Sequence, residues 1–385
     1  MTASPAWAQG YDLAFLQQVA TLFSQDFKSH TYGAFGIPKE RDIATAHKDG
    51  NLAWLRDGTG KIAAAAIFRI AKTTSKQSDF AQRTITILPG DLQIKAAAGA
   101  PHLLQELIER LSAKAGSRPT WLELHAENQQ AVSIASALGF TLAATKVAAS
   151  SDIKSLYIKG ASPTSRLSSI LHPADLPALK HLGTGASSLT VAACIAEINA
   201  YQPPWEQHYS SYNKRQSWTA IALQGFDPLD PQFIIKPGEM SKAWKQENPN
   251  RLTAKCAPTA AANALPTIWQ LAHTIPGTLE RVRLMRLRAS NGELTRHADI
   301  TDRDAGTANG KIARFHIPLQ TAPGCLFSGW NLDGTLNQQH FAAGSLFYLD
   351  IRKPHAVKNT SQVNRIHLVI DVACNAQTRE LLSYA

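Results

Sequence analysis

The 385-residue chain predicts two domains, an α+β front and an all-β rear, on three observations. A single hydrophobic core seldom grows beyond about 250–300 residues, so this length argues for two. The first 160 residues alternate helical and strand patterns. From Val282 onward, short alternating segments follow one another between turn signals, which suggests a sandwich or barrel. The expected bounds are residues 1–160 for the front, 161–190 for a linker and 191–385 for the rear. The linker rests on "KGASPTSRLSSILHPADLPALKHLGTGASS", rich in Ser, Pro, Gly and Ala as inter-domain connections tend to be.

In the front, "YDLAFLQQVATLFSQDF" has helical periodicity. "NLAWLRD" and "KIAAAAIFRIAKT" read as strands around "DGTG", a hairpin signal, and "RTITILP" is a further strand. "APHLLQELIERLSAKAG" is an amphipathic helix with Leu103, Leu104, Leu107 and Leu111 on one face and a glycine stop. "TWLELHA" is a strand, "NQQAVSIASALGF" a short helix ending at Gly139, and "TLAATKVAA" and "SLYIKG" return to strand. In the rear, helices "TVAACIAEINAY" and "TIWQLAHTI" precede the strands "RVRLMRLRA", "ARFHIPLQT", "CLFSGWNL", "SLFYLDI" and "RIHLVIDVA".

Composition excludes several classes. At 44% hydrophobic and 18% charged residues, the chain has apolar mass for two cores and is not disordered. No apolar run approaches the roughly 18 residues of a membrane span, so no membrane partner is expected. "MTASPAWAQGYDLAF" lacks a basic start followed by an apolar stretch, so no signal peptide is expected either. Cys194, Cys256, Cys325 and Cys374 form no CxxC, which argues against a disulfide framework or zinc knuckle and suits a cytoplasmic location. The formal charge of +10 (39 basic minus 29 acidic residues) is scattered, with no run of five cations. Nucleic acid is therefore not the expected partner, while a basic pocket for small anionic substrates is consistent with it.

One constellation carries chemistry. His297 and Asp299 lie two residues apart in "ELTRHADITD", so they share a face if the strand continues. By itself this is weak, since His47-Lys48-Asp49 has the same spacing in a polar stretch that reads as surface. Downstream, however, "YLDIRKPHAVKNTSQVNRIHLVIDV" adds His355 in a turn after a strand and Arg365 ten residues on. Two histidines and one carboxylate with open positions make the facial triad of non-haem Fe(II) oxygenases. A 2-oxo acid cosubstrate would then need a deep cation for its far carboxylate, a task a guanidinium suits. Strand phase agrees: Arg365, His367, Val369 and Asp371 share one face, Ile366, Leu368 and Ile370 the other. "ARFHIPL" repeats the arrangement with Arg314 and His316. His340, in "NQQHFAAG", falls in a turn before a strand and reads as structural.

"RLMRLRASNGELTRHADI", "RFHIPLQTAPG" and "AAGSLFYLDIRKPHAVKNTS…RIHLVIDV" closely resemble the aspartyl/asparaginyl β-hydroxylase family, over roughly the last half of the chain. The resemblance implies a double-stranded β-helix (jelly roll, cupin-like) oxygenase dependent on Fe(II) and 2-oxoglutarate. It implies that His297, Asp299 and His355 bind iron, that Arg365 anchors the distal carboxylate of 2-oxoglutarate, and that His316 lies near its other carboxylate. Arg314 and His367 are the candidates for the substrate. Asp299 retains a carboxylate ligand that vertebrate members lack, so the bacterial members, hydroxylases of free or derivatised amino acids among them, are the nearer likeness. The expected partners are dioxygen and an amino-acid-derived or peptidyl substrate.

Residues 10–160 resemble the GCN5-related N-acetyltransferase fold, through "ILPGDLQIKAAAGAPHLLQELIERL…WLELHAENQQAVSIASALGF". In that family a Gly-rich loop before the central helix cradles the coenzyme A pyrophosphate. The matching residues here are Lys95-Ala96-Ala97-Ala98-Gly99-Ala100, with lysine leading and Ala98 at a loop glycine. Ala135 stands where members often place a tyrosine general acid, while Asn128 and the "LGF" ending are kept. The expectation is a degenerate scaffold. Two alternatives stay open: an acetyl-CoA-dependent transferase with an auxiliary metal-binding barrel, and a non-enzymatic cupin-like sensor.

Overall fold

The structure is a computed structural model that describes residues 13–24, 32–33, 40–78, 84–89, 91–147, 152–160, 176–210, 212–299 and 311–384. It divides into two compact units, residues 1–167 with 332–335, and residues 168–331 with 336–385.

The N-terminal unit contains α1 (Leu13–Ser24), β1 (Tyr32–Gly33), α2 (Glu40–Lys48), β2 (Leu52–Arg56), β3 (Ile62–Ile70), β4 (Ser75–Ser78), β5 (Thr84–Ile87) and β6 (Leu92–Ala98). These are followed by α3 (Pro101–Ala115), β7 (Thr120–His125), α4 (Gln129–Ala137), β8 (Thr141–Val147) and β9 (Ile153–Lys159). The main sheet runs β2-β3-β6-β7-β9-β8, with β1 against β6. Among the described residues only β6 and β7 pair in parallel, and α3 connects them. The helix forms because Leu104, Leu107, Ile108 and Leu111 repeat at helical spacing. Those side chains pack with Ala64, Ala66, Ala96 and Ala98, whose small size lets the helix lie close to the sheet. The expected "DGTG" hairpin is present, with Asp57 Oδ1 accepting from the Thr59 and Lys61 amides at 2.9 and 3.1 Å. This α+β arrangement is the acetyltransferase-like architecture the sequence predicts.

The C-terminal unit begins with β10 (Leu179–Thr184), α5 (Ser188–Tyr201), β11 (Glu206–Gln207), β12 (Trp218–Gly225), α6 (Lys242–Glu247), β13 (Ala257–Pro258), α7 (Ala260–Ala264) and α8 (Pro266–Ala272). It continues with β14 (Thr278–Leu287), β15 (Gly292–His297), β16 (Ile312–Gln320), β17 (Cys325–Trp330), β18 (Leu336–Gln339), β19 (Ser345–Leu349), β20 (His355–Asn359), β21 (Arg365–Ala373) and α9 (Ala376–Tyr384). Two antiparallel sheets result: β10-β19-β16-β21-β14-β12-β11 with β13 on β12, and β15-β20-β17-β18. This is the expected jelly roll. One apolar layer unites Ile366, Leu368 and Ile370 of β21 and Phe315 and Ile317 of β16 with α5, α7 and α8. A second, with Phe327, Leu294, Met285 and Val369, lies between the sheets.

One expectation is corrected. Residues 179–184, assigned to a linker, are β10, paired with β19 in the larger sheet. A bulge between His181 and Gly183, with Gly183 at φ +100°, breaks the strand's period and hides it in Ser- and Gly-rich sequence. Residues 161–175 of that stretch lie outside the described residues.

Candidate metal centre and cavity

The turn after β14 places the first ligand candidates. Ser290 and Asn291 adopt φ of +51° and +84°, and carry the chain from the larger sheet to the smaller one. A Cβ on the next residue, Gly292, would lie 2.2 Å from the Arg288 carbonyl oxygen, so only glycine fits. β15 then pairs with β20, and a register shift after Leu294 brings His297 directly opposite His355. Their rings lie 4.2 Å apart. Asp299 follows the strand end, fixed by its amide donating to the Ile351 carbonyl at 2.7 Å.

Both imidazoles are oriented by the backbone. His297 Nδ1 lies 2.7 Å from the Thr295 carbonyl, and His355 Nδ1 lies 2.9 Å from that of Lys353. A carbonyl fixes the proton on Nδ1 and leaves Nε2 as the lone-pair donor. His297 Nε2 is 3.9 Å from Asp299 Oδ1, and one donor atom from each of the three residues falls within 4.8 Å of the others. Burial holds His297 below its usual range, and burial together with His297 pushes His355 down to about 3, so both stay neutral. Burial alone would raise the Asp299 carboxyl, but the Arg314 guanidinium outweighs it and holds the group well below the usual range. Two neutral imidazoles and one carboxylate are the ligand chemistry of a divalent cation.

The N-terminal unit gathers His125, Glu127 and Asp152 within the same distance. There the geometry points the other way. His125 Nδ1 accepts from the Glu127 amide at 3.2 Å, so the proton belongs on Nε2, which faces Asp152 and Glu127 at 3.6 and 3.9 Å. That is a histidine donating toward carboxylates. His47, the other HxD histidine, lies on α2 and is half-buried against Phe15 and Trp54.

The triad lines a cavity of about 390 Å³. Arg365, at the start of β21, is 3% exposed and reaches this cavity across the Phe327 ring, 5.0 Å from its centroid. Its Nε and Nη1 have no hydrogen-bond partner among the described residues, and burial pushes it down to about 10. His316 also lines the cavity, stacked on Phe347, with neither ring nitrogen hydrogen-bonded among the described residues. A buried cation and a buried imidazole with unmet hydrogen bonds are costly unless a polar ligand completes them.

Two sequence-predicted residues have other surroundings. Arg314, a substrate candidate, is already engaged through all three nitrogens: Nε and Nη2 contact Asp371 at 2.6 and 3.0 Å, and Nη1 contacts Asp299 Oδ2 at 2.9 Å. It positions Asp299. His367, the other substrate candidate, is 1% exposed and packs against Phe327 and His316, outside the lining of the cavity. His340 Nδ1 lies 3.2 Å from the Cys325 carbonyl. Sequence reasoning missed Arg281 and Arg283 of β14, which line the cavity with Met285, and Tyr212, which stacks on His297 at 4.5 Å. The signal for the arginines was present, since "RVRLM" alternates in the phase of "RFHIP" and "RIHLV".

The front-domain loop is largely strand. Lys95–Ala98 lie within β6, and Ala98 pairs with both Ala64 of β3 and Tyr32 of β1. The Gly99 amide donates to the Ala63 carbonyl at 2.8 Å, and Pro101 has no amide hydrogen. Ala135 is fully buried in the core.

Residues 192–374 match the family model for aspartyl/asparaginyl beta-hydroxylase. No curated protein sequence matches. Among solved structures, a Pseudomonas putida prolyl-4-hydroxylase is 14% identical, covering 52% of this chain and 94% of its own, with a TM-score of 0.30. A 2OG-Fe(II) oxygenase-family oxidoreductase from Burkholderia pseudomallei is 15% identical, covering 50% and 81%, with a TM-score of 0.30. A phosphinothricin acetyltransferase from Sinorhizobium meliloti is 12% identical, covering 41% and 92%, with a TM-score of 0.28. The family match falls where the sequence resemblance put it and bears out the expected enzyme class, a 2-oxoglutarate-dependent hydroxylase that works with Fe(II). No helix among the described residues is long and apolar enough to cross a membrane.

Proposed function

We propose that the C-terminal unit hydroxylates an amino acid or amino-acid-derived molecule, with His297, Asp299 and His355 holding Fe(II) and Arg365 and His316 holding 2-oxoglutarate. The observation that carries this reading is one cavity bearing a cluster of three metal-ligand donors and a buried guanidinium that no described residue partners. Bound Fe(II) with 2-oxoglutarate would supply the oxidation, one oxygen atom of dioxygen going to a substrate C–H and the other to succinate. The chain's own work is placement. The Thr295 and Lys353 carbonyls aim the two Nε2 atoms, and Arg314 holds Asp299 ionised and in place. Arg365 offers a fork for a carboxylate, and Phe327 packs against it. The test is a mass gain of one oxygen in an amino-acid panel, coupled to succinate, with Fe(II), 2-oxoglutarate and air. Absence of iron-dependent succinate from the full-length protein defeats the reading.

Arg365→Ala is expected to raise the apparent KM for 2-oxoglutarate by about 30- to several-thousand-fold, the 2–5 kcal/mol cost of truncating a buried charged contact. Iron affinity, read by calorimetry, should be retained. A variant that loses iron and keeps its 2-oxoglutarate KM would show that Arg365 is misplaced.

The N-terminal unit is proposed as a scaffold without acetyl transfer. Its support is the Gly99 amide engaged by Ala63, the missing Pro101 amide and the alanine at position 135. The neighbouring cleft also mixes Arg56 and Lys61 with Asp57 and Glu106, so it has no excess of cations for a pyrophosphate. Acetyl-CoA should bind the full-length chain no tighter than roughly 0.1 mM, about −5.5 kcal/mol. Micromolar affinity by calorimetry, or an acetylated amine product, would make this a two-activity protein.

A further inference from the structure

We propose that the N-terminal unit carries a binding site of its own, a pocket on its main sheet for a small monocarboxylate with an apolar body. The site is independent of the oxygenase reading, and it shares no lining residue with the cleft beside α3. Alternation along the strands gives the sheet two faces. One, with Leu92, Ile94, Leu122 and Leu124, packs against α3. On the other, Ala65 and Ala97 pack with α1 and α2, while Trp121, Leu156 and Ile158 belong to a separate apolar cluster. Two residues before Ala97 on β6, this second face turns polar. Lys95 Nζ lies 3.2 Å from Glu123 Oε1, and Glu123 Oε2 pairs with Lys154. These half-buried ions cost desolvation that apolar side chains at the same positions would avoid. They line a cavity of about 400 Å³.

The charges and the walls name the ligand. Lys95 has only a carboxylate it shares with Lys154. Arg69, exposed on the same face, lines the cavity too. Its Nε donates to the neutral Gln93 side chain at 2.8 Å, and no carboxylate pairs with it among the described residues. Asp42, the other lining carboxylate, lies beside Arg41 at 3.6 Å. Register sets Gln93 opposite both Arg69 and Trp121, and Lys95 opposite Ile67 in the next row. A carboxylate placed between Arg69 and Lys95 meets a guanidinium fork and an ammonium at once. Its apolar body then has Ile67, Trp121 and Leu156 as walls, Trp121 fixed by its indole N–H donating to Asp91 at 2.9 Å. Size agrees, since about 400 Å³ lies near the small end of ligand pockets, which run roughly 300–1,000 Å³. An aromatic or short aliphatic acid suits it.

Calorimetry on the full-length protein with benzoate, phenylacetate and hexanoate tests this. At least one acid should bind with a Kd below about 1 mM, while its carboxamide and inorganic phosphate bind about 10-fold more weakly or not at all. Arg69→Gln should weaken that acid by about 10-fold or more, as expected for a lost charge-assisted hydrogen bond. Arg69 is exposed, so the fold of this variant should hold. Lys95→Gln, on the other side of the proposed carboxylate, should weaken it by a similar factor. No saturable binding of any of the three acids overturns the proposal, as does equal binding of acid and carboxamide. An affinity that neither Arg69→Gln nor Lys95→Gln changes would place the acid elsewhere, the metal cavity included, and overturns it as well.

Discussion

His297→Ala and His355→Ala are each expected to abolish iron-dependent succinate formation and to weaken Fe(II) binding by more than about 100-fold, the upper range for losing even a ligand's supporting partner. The expectation follows from the donor set. Each Nε2 is aimed by its own carbonyl contact, so no neighbouring histidine can take over the position. His316, although buried nearby, belongs to β16 of the larger sheet, whereas the paired histidines belong to the smaller one. Loss of either ring leaves His297 or His355 with only Asp299 as a partner ligand. Unchanged circular dichroism would show that the fold persists, and calorimetry would read the iron. Retained iron-dependent succinate formation in both variants would rule out the triad.

Much of this site was legible because strands have a period of two. The phase of "RIHLVID" and "RFHIPL" assigned Arg365 and His316 to one face and the packed residues to the other, and the structure places them so. Phase names a face and not a partner. It could not show that Asp371 lies across from Arg314 in register, close enough to pair with it. The pairing of His297 with Asp299 was expected from strand alternation, yet β15 ends at His297, and a contact to Ile351 positions the carboxylate. The register shift that sets His297 opposite His355 is likewise a property of two strands distant in sequence. Tyr209 and Tyr212 come from an aperiodic connection between β11 and β12, where no pattern marks a cavity residue.

Asp371→Ala is expected to destabilise the C-terminal unit by about 3–5 kcal/mol, the cost of breaking a buried ion pair from one side. Asp371 is 2% exposed and accepts from Arg314, Arg283 and Arg281 at 2.6 to 3.1 Å. Without it, Arg283 loses the carboxylate it contacts, and Arg314 keeps only its contact to Asp299 of the two it makes. The effect has a pH signature. Burial alone would raise the Asp371 carboxyl, but Arg314, Arg283 and Arg281 outweigh it and hold it far below the usual range. A depressed folded value means that its stabilisation is fully present above the unfolded value, near 4, and is lost as pH falls below that. Urea midpoints of the wild type should therefore drop more steeply below about pH 4 than those of Asp371→Asn, which keeps an acceptor and cannot ionise. Arg314 gives the variant a second consequence. Freed from Asp371, its guanidinium no longer fixes Asp299, and Fe(II) affinity should fall by about 10- to 100-fold, as when a ligand's supporting partner is lost. An Asp371→Asn protein with unaltered urea midpoint, acid slope and iron affinity would show that the arginine cluster is stabilised by something other than this carboxylate.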